Sequence, residues 1–201
     1  FSEVGMLPAY LMGLMPKNFK KNLPKFMSNK IFLSNSIKEV SKLNVKKFKT
    51  LIFFNYVPEL NDFLFWCQQL LAESLGKNQK GFIPVVSNAP KDHHSLLQLY
   101  LDGPRDKIFY VFSAKEKRST KINNVKLSQK DAFIEVLKEK KIPFREIVIK
   151  KFNEDVIGKL FLSFIFETIV LSKMMRVNAF DQPAVERVKV LTKKFLNLKQ
   201  S

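Results

Sequence analysis

The sequence predicts an α/β fold: an open, mostly parallel sheet flanked by helices, with two long helices at the C-terminal end. Three observations carry this expectation. The runs FKTLIFFNY (48–56), GFIPVV (81–86), KIFYVF (107–112) and PFREIVI (143–149) lack clean polar alternation, as strands buried on both faces do. Segments with helical spacing separate these runs, and alternating strands and helices are the signature of parallel crossover units. At 201 residues, 46% hydrophobic and 26% charged, the chain can bury one good core with at most a short appended segment.

The elements follow in order. Residues 1–15 read as an apolar helix, and the basic stretch PKNFKKNLPKFMSNK after it is punctuated by proline. Ser36–Leu43 is a candidate short helix. The first strand run is followed by Leu60–Leu75, whose apolar residues Phe63, Leu64, Cys67, Leu70 and Leu71 recur at helical spacing. After the second run, His94–Leu101 is a helix with one apolar face, closed by the stop signal Asp102-Gly103-Pro104. The third run leads to a helix over Gln129–Lys140, with Ser128 at the N-cap position. The fourth leads to the two long helices, Asp155–Met175 and Gln182–Leu196. Residues 1–47 are expected to be connecting helices and the remnant of a preceding domain, and residues 48–201 an α/β domain.

Composition removes several classes of function. With 2 histidines and 1 cysteine there is little material for a metal site, and Cys67 cannot form an internal disulfide. A lone cysteine points to a reducing, cytoplasmic setting. The apolar stretch Leu160–Met175 carries Glu167 and Lys173 and is shorter than the ~20 residues of a membrane span, so it reads as a core helix. The chain opens on Phe1, and FSEVGMLPAYLMGLM lacks the charged start of a signal peptide. It reads as a helix entered within a domain, so the chain is expected to be a fragment.

The net charge of +17 raises nucleic acid or an anionic membrane surface as partners. However, the basic residues are nearly all lysine, whereas base-edge readout and phosphate clamping favour arginine. They are also spread over five separate stretches. A solvated, lysine-rich surface is the preferred reading, with no nucleic acid and no membrane expected. No GxGxxG, GxxxxGK[ST] or GxSxG motif occurs, so the matching nucleotide loops and nucleophile elbow are disfavoured.

Three local signals remain. Glu73 lies in QQLLAESLGK, ahead of a glycine turn; His94 opens HSLLQLYLDGP; and FDQPAVERVK (180–189) begins the last helix. Each has an ordinary reading when taken alone. Glu73 is a solvated helix charge, His94 a helix-start residue, and Lys189 half of an i,i+3 pair with Glu186. In DQPAVE, Asp181 or Gln182 can cap the helix and Pro183 suits its first turn.

Together and in this order, the three segments resemble the phosphoglucose isomerase (glucose-6-phosphate isomerase) family. That family carries QQxxxES-x-GK, a His heading H-x-x-x-Q-L-x-x-x-G, and [FY]-D-Q-x-[GA]-V-E-x-x-K. SEVGMLPAYLMGL is similar to the helix that follows the family's glycine-arginine signature. The resemblance covers nearly the whole chain, with Pro16–Lys47 the least recognisable part. Leu75 stands where the family commonly has Asn, and Val188 where it has Gly.

The resemblance implies the C-terminal portion of a sugar-isomerase-type, flavodoxin-like protein. Such a protein would interconvert glucose 6-phosphate and fructose 6-phosphate in glycolysis and gluconeogenesis through a cis-enediol. It implies Glu73 as the proton-shuttling base, His94 as the ring-opening acid/base, and Lys189 as a second ring-opening and positioning group. It also implies that Gln69 and Gln182 contact the sugar, and that His94, not His93, is the family's histidine. No metal or organic cofactor is implied. A homodimer is, with His94 contributed across the interface. The family's enediolate-stabilising arginine and its phosphate loop would lie before Phe1. The alternative is a non-catalytic sugar-phosphate-binding domain of the same fold.

Overall fold

A computed structural model of the chain describes residues 2–42, 47–115 and 120–198. Four short N-terminal helices, α1 (Glu3–Leu11), α2 (Pro16–Lys20), α3 (Leu23–Met27) and α4 (Lys30–Ser41), precede the first strand, β1 (Thr50–Asn55). A 3-10 turn (Pro58–Leu60) leads into α5 (Asn61–Leu75), followed by β2 (Ile83–Asn88). Two short helices, α6 (Asp92–Ser95) and α7 (Leu97–Asp102), precede β3 (Lys107–Ala114). Then come α8 (Lys121–Glu139), β4 (Phe144–Ile149), α9 (Glu154–Met175) and α10 (Pro183–Leu198).

The 4 strands pair in the order β2-β1-β3-β4, and every pairing is parallel. This is the doubly wound order of flavodoxin-like sheets. Successive side chains of a strand point to opposite faces, and here both faces are covered. Leu51, Phe53, Ile108, Tyr110 and Phe112 join a core with Leu64, Cys67 and Leu71 of α5 and Phe164 and Leu171 of α9. Ile52, Phe54, Phe109 and Val111 point the other way, into a second core with Tyr100 of α7 and Phe133, Ile134 and Leu137 of α8. Burial on both faces is why β1 and β3 show no polar alternation, whereas the edge strands β2 and β4 keep exposed residues such as Ile83 and Val148.

Several boundaries differ from those expected, each for a local reason. Helix α4 begins at Lys30 because Asn29 caps it, accepting from the Ile31 and Phe32 amides at 3.0 and 3.2 Å. Leu43, the last residue of the helix expected over 36–43, lies outside the described residues. The helix expected from His94 is broken at Leu96 into α6 and α7. Helix α8 starts at Lys121, with Thr120 accepting from the Asn123 amide at 3.1 Å, so Ser128 lies inside it. Its first turns carry exposed Ile122 and Val125, which is why no apolar stripe marked them.

Strand β2 is an edge strand, and its sequence suits that position. Ile83 and Ala89 donate inward to Lys49 and Asn55, so by strict alternation Pro84 and Asn88 face outward. Proline has no amide proton and is tolerated there. The Pro84 carbonyl accepts from Gln68 Nε2 of α5 at 2.7 Å, and the Asn88 amide donates to Asp92 at 2.7 Å.

Helices α2, α3 and α4 pack on α9. Gly158 of α9 permits the closest approach: a Cβ built there would stand 2.4 Å from the Phe19 carbonyl oxygen. Glu167, also on α9, is 3% exposed and accepts from Arg145 Nη1 of β4 at 2.6 Å, while the guanidinium lies over the Tyr110 ring. Burial pushes the Glu167 carboxyl up from its ordinary value, and the Arg145 charge opposes that rise. No helix among the described residues is long and apolar enough to cross a membrane.

This packing sets two expectations for stability. Arg145→Met leaves Glu167 buried without its partner and is expected to cost about 3 kcal/mol, read as a lower urea midpoint at unchanged slope. Gly158→Ala forces the α2 backbone away from α9 and is expected to cost about 2 kcal/mol. Protease cleavage within residues 16–41 of that variant should rise before global unfolding does.

Candidate active site

The winding of the sheet decides which predicted residues can meet. Helix α5 leaves the carboxyl end of β1 and must return the chain to the amino end of β2, which lies in parallel register with β1. Helix α9 likewise leaves the carboxyl end of β4, and it packs against α5. Both helices therefore end at the amino edge of the sheet. There the last turn of α5, carrying Glu73, meets the turn 178–182 that joins α9 to α10.

Glu73 is held from both sides. Gln69 Nε2, one turn earlier on α5, donates to Glu73 Oε1 at 2.9 Å. Gln182 Nε2, 109 residues away in sequence, donates to Glu73 Oε2 at 2.7 Å. An ionised carboxylate only accepts hydrogen bonds, so both amides must turn their nitrogens toward it. Each carboxylate oxygen thus has a donor, and the group cannot rotate without losing one. Glu73, Lys77, Gln182, Pro183 and Val185 are among the residues lining a cleft of about 380 Å³. Gln182 precedes Pro183, the first helical residue of α10, and its carbonyl accepts from the Glu186 amide at 3.4 Å, while its side chain is a clasp on Glu73.

The turn after α5 adds a second set of contacts. Lys77 Nζ donates to the Asn178 carbonyl and pairs with Asp181 Oδ1 at 3.1 Å. The other carboxylate oxygen of Asp181 accepts from Asn178 Nδ2 at 3.0 Å. The hydrogen bond from Lys77, above all, holds the Asp181 carboxyl below the ordinary carboxylate range. Lys80 Nζ donates to the Met175 carbonyl at 2.9 Å. The two lysines thus satisfy carbonyls at and just beyond the C-terminus of α9. The glycine turn with Lys77 marked this segment in the sequence, but nothing local named Asn178 and Asp181 as its partners.

The other two predicted catalytic residues lie elsewhere in the chain. Lys189 is exposed on α10, where its Nζ donates to Glu186 Oε1 at 2.6 Å. His94 is exposed on α6, just past the carboxyl end of β2. The sheet separates His94 from Glu73, and a strand of 6 residues spans about 20 Å. A single chain does not bring the two side chains together.

The turn that carries His94 is firmly held. Asp92 Oδ2 accepts from Ser87 Oγ and from the Asn88 amide, both at 2.7 Å, and Asp92 Oδ1 accepts from Ser95 Oγ at 2.9 Å. Burial works to raise the Asp92 carboxyl, but these three hydrogen bonds together keep it below its ordinary value. His93 is half-buried, and the hydroxyl of Tyr56, just past β1, shares a hydrogen bond of 2.6 Å with its Nε2. Burial, and next the charge of His94, lower the His93 imidazole from its ordinary range, while burial pushes the Tyr56 hydroxyl up. His93 thus faces inward, and His94 faces out. Among the described residues, no group of three or more His, Cys, Asp or Glu is placed to hold a metal ion.

No protein-family profile matches the sequence. Curated relatives do. The chain is 31% identical over 211 residues to a glucose-6-phosphate isomerase of Methanocaldococcus jannaschii, covering 94% of this chain and 53% of that protein. It is 30% identical over 168 residues to the glucose-6-phosphate isomerase of Campylobacter jejuni, covering 73% and 41%. The chain thus spans about half the length of the curated relatives it matches, or less. Among solved structures, a hypothetical protein from Thermus thermophilus superposes with TM-score 0.83 at 26% identity, over 97% of this chain and 54% of that one. A glucose-6-phosphate isomerase from Chlamydia trachomatis superposes with TM-score 0.69 at 17% identity, over 89% and 40%, a likeness of fold alone. The relatives supply the family and the superpositions agree in the fold: the chain belongs to the glucose-6-phosphate isomerase family.

Proposed function

We propose that the chain is the C-terminal portion of a cytoplasmic, homodimeric isomerase that interconverts glucose 6-phosphate and fructose 6-phosphate, with Glu73 as its base. The observation that carries this reading is the Glu73 carboxylate held at both oxygens by Gln69 and Gln182 at the mouth of a cleft. Aldose–ketose interconversion moves one proton from C2 to C1 on one face of the open-chain sugar. Glu73 takes the C2 proton to leave a cis-enediolate, O1 gains a proton to give the cis-enediol, and the same carboxylic acid returns its proton to C1 as O2 gives up its own and becomes the carbonyl at C2. A fixed carboxylate suits such a shuttle, because a single group must reach two adjacent carbons without losing its orientation. When sugar enters, Gln69 and Gln182 sit close enough to Glu73 to contact the hydroxyls beside the reacting carbons.

Ring opening must come first. It needs a proton delivered to the ring oxygen and one removed from the anomeric hydroxyl, work that an imidazole does near neutral pH. His94 is the candidate, with Lys189 as the second group. Since one sheet separates His94 from Glu73, the pairing requires a second copy of the chain, with the partner's His94 brought over the cleft of the first protomer. The pinned α6 turn favours this reading, because a group reaching across an interface must be held in place before the partner arrives.

Two measurements in the whole protein test the proposal. Glu73→Gln keeps the size and one acceptor oxygen but removes the base. It should lower kcat for glucose 6-phosphate by roughly 10²–10⁴-fold while leaving sugar-phosphate binding by calorimetry nearly intact. Undiminished turnover would remove Glu73 from the role, and binding by the wild type without any turnover would favour the non-catalytic alternative. Mixing inactive Glu73→Gln and His94→Ala subunits through unfolding and refolding should restore roughly a quarter of wild-type activity, because half of the dimers then hold one intact site. No recovery would place both groups in the same protomer.

A further inference from the structure

We infer that Lys77 is a positioning residue: by stapling the turn 178–181 to the end of α5, it sets Gln182 against Glu73 and fixes where α10 begins. The inference rests on reading Glu73 as the base. Its grounds are geometric. The Lys77 side chain is 9% exposed, and its ammonium is engaged with the Asn178 carbonyl and with Asp181 Oδ1 at 3.1 Å. Asn178 is itself folded onto the turn, with its Nδ2 donating to Asp181 Oδ2 at 3.0 Å and its Oδ1 accepting from the Phe180 amide at 3.0 Å. The residue immediately after this knot is Gln182, whose Nε2 reaches Glu73 Oε2 at 2.7 Å. Pro183 then starts α10, on which Lys189 is carried.

The turn has little else to hold it. Phe180 is 80% exposed, and the Asp181 side chain is 52% exposed. Without the staple, Gln182 would keep its place on Glu73 only through its own flexible side chain. With it, the helix that carries Glu73 in its last turn and the helix that begins after Gln182 move as one body. Lys77 is thus placed to act through Gln182 and Glu73, although it lines the same cleft.

The test uses the whole protein, with Glu73→Gln measured beside the other variants. Lys77→Met and Asp181→Asn should each lower kcat by roughly 10- to 100-fold, the scale of a small misplacement of a reacting group, with KM changed little. The double variant should be no worse than the more severe single variant, because Lys77→Met already removes the Lys77–Asp181 contact that Asp181→Asn weakens. Lys77→Arg, which still reaches Asp181, should recover most of the lost kcat. Asp181→Asn covers the case in which Lys77→Met does not fold, because Asp181 is half-exposed and leaves the lysine in place. Higher KM at unchanged kcat would make Lys77 a direct substrate contact and overturn the inference. So would additive losses in the double variant, or full kcat in both single variants beside an inactive Glu73→Gln. If Glu73→Gln itself turns over normally, there is no base to position, and both readings fall together.

Discussion

The constraint on which the rest depends is a parallel sheet that must be covered on both faces. Parallel strands cannot be joined by tight turns, so each connection has to carry the chain back across the sheet, and apolar burial makes helices the carriers. In this chain the rule sends α5 and α9 down the same face, each running from the carboxyl edge to the amino edge. Their C-terminal ends, distant in sequence, arrive side by side. Glu73, Gln182 and the Lys77 knot are consequences of that arrival. In open α/β sheets the usual ligand crevice is at the carboxyl edge. The cleft around Glu73 lies at the opposite edge, and the carboxyl edge instead presents the turn with His94.

Charge in this protein is put to structural as well as solvating use. The surplus of lysine suggests at first a surface that attracts polyanions. Yet Lys77 and Lys80 neutralise carbonyls at and beyond the end of α9, where the helix dipole leaves partial negative charge. Lys130 sits between Asp131 and Glu146, at 3.0 Å from each. Arg145 enters the core to meet Glu167. Each of these cations is bound within the fold, and because the acids they meet are already counted, the surplus of +17 rests largely on the other basic residues.

The fold was largely legible because burial leaves a compositional trace. Runs such as LIFF and IFYVF have no polar alternation because each residue enters one of two cores, and the helical spacing of Phe63, Leu64, Cys67 and Leu71 is the face of α5 that meets the sheet. Boundaries set by a single capping side chain were not legible. Asn29 and Thr120 start helices whose first turns are exposed, so no apolar stripe precedes them. The site was legible as three motifs but not as a geometry. Nothing local in AESLGK names Asp181, and nothing in FDQPAVE shows that Gln182 turns back to Glu73. Those contacts exist only once two helices end at one edge. The separation of Glu73 from His94 has the same origin: residues 21 apart in sequence on paper are divided by the full length of a strand.

The edge strand β2 has a consequence for how the molecule can grow. An open sheet edge ordinarily offers a ladder of unpaired amides and carbonyls to any passing strand. Here the outward ladder is interrupted near both ends of the strand. Pro84 has no proton to offer and its carbonyl is taken by Gln68, while the Asn88 amide is committed to Asp92. A neighbouring chain therefore finds no continuous register to zip onto on that side. Association there has to proceed through side chains, helices and loops, whose fit depends on shape and identity. An edge closed in this way steers the protein from generic strand addition, the first step toward fibrils, to contacts that only a matching surface can make.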